Sequence, residues 1–137
     1  MGLYLCVFDG EDEVDGVEVG SYREYDDFRE LVVNRLEDGS AGSRFPVFVL
    51  HSDCEGEWSV EECLALRREL AQIELELTSL PAIGFSGEWQ RKVARSLGLQ
   101  PRNALESFID VDGELLVERL RSLVEAALAR QLPILFQ

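Results

Sequence analysis

Residues Gly2 to Phe8 (GLYLCVF) are apolar at both alternating positions, with Leu3, Leu5 and Val7 pointing one way and Tyr4, Cys6 and Phe8 the other. A strand buried on both faces has this pattern, which predicts a central place in its sheet. Asp9 to Gly16 (DGEDEVDG) predicts a Gly-bounded acidic turn, and Val17 to Val19 a short strand pairing back. Ser21-Tyr-Arg-Glu24 is a capping box: the hydroxyl accepts a first-turn amide while the Glu carboxylate reaches back to the cap residue. Tyr25, Phe28, Leu31, Val32 and Leu36 then recur at steps of three and four, the stripe of a helix laid on a core. Its end falls near the Gly39–Ser43 loop.

Phe45 to Leu50 (FPVFVL) is a second apolar run of strand length, with Pro46 suited to its start or to an edge. A polar loop, His51 to Trp58, leads to a second capping box, Ser59-Val-Glu-Glu62. The longest helix follows, with Cys63, Leu66, Leu70, Ile73 and Leu77 as its stripe and Pro81 stopping it by Leu80. Glu88 to Leu97 predicts a short helix with Trp89, Val93 and Leu97 inward and Gly98 as its left-handed cap. Leu105 to Val111 reads as a strand whose first residues are also compatible with helix. A last helix runs from about Glu114 to Arg130 with Leu116, Leu120, Leu123 and Ala127 as its stripe, and Pro133 to Phe136 closes as a strand. Apolar helix stripes need a sheet to cover, and the strands need that cover in return. The expectation is an α+β fold in which a single small sheet of about four strands packs with three main helices and one short helix. At 137 residues with 46% apolar content, residues 1–137 are expected to form one domain.

Charge sharpens this picture. Residues 1–40 carry 12 Asp/Glu against 3 Lys/Arg and residues 41–80 carry 8 against 3, whereas residues 81–137 balance at 7 and 7. The whole net charge of −14 therefore sits in the first 80 residues. Nucleic acid is a poor partner for such a surface, because neutralising phosphates takes clustered Lys and Arg. A basic protein partner fits better, since the field raises its rate of encounter. The plain alternative is an acidic surface that only keeps the protein soluble. The longest apolar runs fall far short of the ~20 residues of a membrane-spanning helix, and the first residues lack the basic flank of a signal peptide. Cys6, Cys54 and Cys63 cannot all pair and form no C-x-x-C motif, so cytoplasmic residence is expected.

Few residues suggest chemistry. His51, Asp53 and Cys54 are the one place where reactive types crowd together, and a small cytoplasmic enzyme using them is the alternative to a binding protein. No second His exists, and neighbouring carboxylates oppose a thiolate at Cys54. Zinc on His51, Cys54 and Cys63 lacks standard spacing and a fourth ligand. The acidic stretch misses the spacing of an EF-hand, so no metal or other cofactor is expected. The expected partner-binding residues are Asp9, Glu11, Asp12, Glu13, Asp15 and Glu18 in the segment after the first strand, with Asp53, Glu55, Glu57 and Trp58 in the second loop. Trp58 amid carboxylates has a hot-spot composition, though it also suits a staple packed over the following helix. Arg91, Lys92, Arg95 and Arg102 are the one basic cluster.

The opening GLYLCVFD with its DGVEVGSY continuation, the central FPVFVLHSDCEGEWS and the tail SFIDVDGELL…LPILFQ together resemble immunity proteins of bacterial polymorphic toxin systems, specifically the family numbered seventy among them. The resemblance runs from Gly2 to Gln137 and carries no catalytic motif. It implies a non-enzymatic antidote that binds a cognate toxin domain and holds it inactive in the cytoplasm. The charge adds the expectation of a basic surface on that toxin, as a nuclease groove has. An adaptor or structural subunit unrelated to toxins is the remaining alternative.

Overall fold

The structure, a computed structural model, describes residues 2–137. Strands β1 (Leu3–Asp9) and β2 (Asp12–Gly20) form an antiparallel hairpin. The acidic segment expected as a turn is mostly strand. Only Gly10 and Glu11 connect the arms, with Gly10 at φ 66, the left-handed conformation a two-residue hairpin asks of its first residue. Beyond them Val14 and Val17 give the arm an apolar side to bury, which holds it on β1. A register shift leaves Val14 as a bulge between Glu13 and Asp15.

Helix α1 (Tyr22–Leu36) opens on its capping box, with Glu24 N–H donating to Ser21 Oγ at 3.2 Å and Ser21 N–H to Glu24 Oε2 at 2.5 Å. Phe45 to Leu50 is not the expected strand but encloses a single helical turn, α2 (Pro46–Val49). Proline at the first position presets the helical φ, and the Glu69 carboxylate accepts Val47 and Phe48 N–H at 3.2 and 2.9 Å, satisfying amides that a helix start leaves open. A short apolar run suits either state, and here a distant carboxylate decides. The loop before α2 is shaped in the same way: buried Glu37 accepts the N–H groups of Gly42, Arg44 and Phe45.

Strand β3 (Glu57–Trp58) leads into α3 (Val60–Thr78), whose second capping box is complete and whose predicted stripe is buried throughout. After α4 (Glu88–Leu97), the strand expected over Leu105–Val111 is replaced by a 3-10 turn at Leu105–Ser107 and one isolated bridge, Ile109 to Leu115. Asp110 Oδ1 accepts Asp112 and Glu114 N–H at 2.9 and 3.0 Å, closing a turn just where a strand would have to continue. Helix α5 (Leu116–Arg130) and strand β4 (Ile134–Phe136) complete the chain. Among the described residues no helix is long and apolar enough to cross a membrane.

The α+β class and the four-stranded sheet stand; β2 contains the short strand expected over Val17–Val19, and β3 forms where the sequence reads as a loop. The sheet is antiparallel, in the order β2-β1-β4-β3, so β1 does lie inside it. Leu3, Leu5, Val7, Val17, Val19, Trp58, Ile134 and Phe136 share one core with the stripes of α1, α3 and α5. Cross-strand register then puts Tyr4, Cys6, Phe8, Glu13, Glu18, Glu57 and Leu135 together on the opposite, outer face.

Candidate functional site

The His51–Glu57 loop is held by its own polar atoms. Arg29 of α1 donates to the His51 carbonyl at 2.5 Å and pairs with Asp53 at 3.8 Å. Ser52 Oγ accepts Cys54 and Glu55 N–H at 3.2 and 3.3 Å. The imidazole of His51 stacks on Phe136 at 4.2 Å, with Nδ1 2.8 Å from the Ser52 carbonyl and Nε2 2.9 Å from that of Glu57. Both nitrogens thus face backbone carbonyl oxygens, and neither is hydrogen-bonded to the Cys54 thiol. Cys54 is the exposed thiol, whereas burial pushes the Cys63 thiol up to about 11 and also raises that of Cys6. Alkylation near pH 8 should therefore modify Cys54 alone in the folded protein and all three cysteines after unfolding. Mass spectrometry reads this count, and a much faster reaction at Cys54 would revive a nucleophile there. Among the described residues no group of three or more His, Cys, Asp or Glu is placed to hold a metal ion.

Trp58 is not at the surface of this loop. It is 1% exposed, its indole N–H donates to the Val47 carbonyl at 3.1 Å, and its ring meets Phe136 edge-on at 4.7 Å. The expected recognition anchor is a core residue, because strand alternation turns it inward and leaves Glu57 outward.

The carboxylates divide by partner. Asp9 pairs with Arg130, Asp15 with Arg119 and Asp53 with Arg29, while Glu13 accepts the Tyr4 hydroxyl. Glu11, Asp12, Glu18, Glu55 and Glu57 are exposed and form no ion pair among the described residues. The two acidic segments lie at opposite ends of the sheet. The Gly10-Glu11 turn closes the end where β1 finishes, whereas the His51–Gly56 loop enters β3 from the other end, with Glu57 level with Leu135 and Cys6 midway along β1. Seven residues of strand put roughly 20 Å between these ends. The outer face connects them, with Glu13, Glu18 and Glu57 around half-buried Tyr4, Phe8 and Leu135.

At the end where β1 begins, the outer face runs into a cleft of about 450 Å³ bordered by Tyr4, Glu18, Gly20, Glu24, Trp89 and Gln90. Trp89, expected inward, is 54% exposed, and Leu97 is exposed too; Gln90 and Ala94 are the buried residues of α4. The predicted stripe lies over the Asp112-Gly113 turn, where Val93 and Leu97 crowd Gly113, and this small turn cannot cover a tryptophan. Sequence patterning missed this cleft because Trp89 and Val93, four residues apart, read as core. The basic cluster turns elsewhere: Arg91 donates to the Phe85 and Ser86 carbonyls, and Lys92 and Arg102 pair with Glu88 and Glu106.

Residues 3–136 match the model of a protein family described as Immunity protein 70. No curated protein and no solved structure matches the chain.

Proposed function

The chain belongs to the Immunity protein 70 family, and on that footing we propose that it binds a cognate bacterial toxin domain through its acidic outer sheet face, holds that domain inactive and transforms nothing itself. What carries this assignment of the surface is the arrangement of Glu13, Glu18 and Glu57 around Tyr4, Phe8 and Leu135, continued by Glu11 and Asp12 at the hairpin. An apolar centre with a polar rim is the usual composition of a protein interface. Carboxylates without internal partners can meet cations of the toxin without first breaking ion pairs. The toxin is then basic where it docks, as a nuclease is along its substrate groove, and the net charge of −14 speeds the encounter. Three free cysteines, two of them buried, suit a reducing cytoplasm. A family match spanning 3–136 supports a single domain acting as one unit.

Co-expression with a toxin domain encoded beside this chain tests the proposal. Cells should survive only when both are made, and the two should purify as a stable complex. Undiminished toxicity, with no complex at micromolar concentrations, would sink it.

A further inference from the structure

We infer that the cleft between the start of β1, the end of β2 and α4 is a socket for an arginine side chain carried by the bound toxin. The inference rests on the toxin-binding function proposed above and adds where the partner anchors and with which residue.

Three independent features point to a guanidinium. First, among the described residues the cleft is lined by two carboxylates and no cation: Glu18 is exposed and forms no ion pair with them, and Glu24 has one oxygen on Ser21 N–H. Second, its walls include two fixed aromatic rings. Trp89 has its indole N–H on the Val111 carbonyl at 3.1 Å, and Val111 N–H in turn bonds the Glu18 carbonyl at 3.0 Å, so the ring is tied to β2. Tyr4 lies across Gly16, where a Cβ would stand 2.0 Å from its hydroxyl, and donates that hydroxyl to Glu13. Third, Gln90 is 4% exposed, and neither its amide oxygen nor its nitrogen has a hydrogen-bond partner among the described residues. A buried amide without a partner is costly, and although its nitrogen stands nearer Gly20 and its oxygen nearer Gly87, a half-turn about the last side-chain bond exchanges the two and presents the oxygen to an entering N–H.

Arginine suits all three features at once. Its planar head carries five donors, forks onto carboxylates and stacks on aromatic faces, whereas a lysine ammonium is a compact point charge that makes less use of flat walls. Gly20 (φ 121) and Gly87 leave the room that the Gln90 amide occupies. A Cβ on Gly20 would stand 2.7 Å from Gln90 Nε2, and one on Gly87 would stand 2.1 Å from Gln90 Oε1. Tyr4 and Glu18 also belong to the outer face, so an arginine seated here is continuous with a toxin lying on that face.

Isotope-labelled protein titrated at low salt with N-acetyl-arginine amide tests the socket by NMR. The Trp89 indole resonance should shift with a dissociation constant on the order of millimolar, while the Trp58 indole stays in place. Glu18→Gln, an exposed change that leaves the fold intact, should weaken this binding roughly two- to fivefold. No movement of Trp89, or equal movement with the neutral citrulline analogue or the lysine analogue, would overturn the assignment. With the toxin itself, Trp89→Ala should lower affinity about tenfold or more. Wild-type toxin affinity in both variants would remove the socket from the interface while leaving toxin binding intact. Failure of toxin binding itself would show as no complex with the unaltered protein.

Discussion

Trp58→Ala should cost about 3–5 kcal/mol of folding stability, whereas Trp89→Ala should cost less than about 1 kcal/mol. Trp58 is fully buried among Phe48, His51 and Phe136, so truncation opens a cavity in the aromatic cluster. It also removes the indole N–H from the Val47 carbonyl. Against a typical total of about 5–15 kcal/mol, such a loss leaves the domain marginal. Trp89 surrenders one hydrogen bond and half-exposed area. Urea unfolding followed by circular dichroism measures both. Equal losses would contradict the placement of one tryptophan in the core and the other at the surface.

Reversing Glu11, Asp12 and Glu57 to Lys should slow association with the toxin by about one to two orders of magnitude at low salt and flatten its salt dependence. These residues span the outer face from the hairpin to β3, and none forms an ion pair among the described residues, so little folding stability should be lost. Glu13 is left alone because it holds the Tyr4 hydroxyl. Stopped-flow rates between about 50 and 500 mM salt should converge for the two proteins at the upper end, where screening shortens the reach of each charge to a few ångströms. Parallel rates at every salt concentration would mean that this face does not steer the encounter.

Local signals that close within a few residues were legible in the sequence. Both capping boxes, the α1, α3 and α5 stripes, the Gly98 cap and the inner position of β1 follow from spacing alone, because each depends on neighbours one or two turns away. Features decided by distant partners were not. Phe45 to Leu50 became helical through Glu69, and Leu105 to Val111 was diverted by the Asp110 turn. The candidate site suffered most, because a tryptophan's role depends on what lies opposite it. Trp58 alternates into the core from a two-residue strand that the loop's polarity conceals, and Trp89 sits over a turn too small to cover it. The carboxylates of β2 were recognisable as an acidic cluster, yet only the register shows that Glu13 and Glu18 share a face with Glu57.

Hydrogen–deuterium exchange on the toxin complex tests the assignment of the outer face most directly. Binding there should slow exchange in the peptides that cover β2, the Gly10-Glu11 turn and the first turn of α4, and leave the exposed side of α3 around Arg67 and Arg68 unchanged. Protection confined to α3, with β2 exchanging as in the free protein, would place the toxin on the opposite side of the molecule and contradict the account.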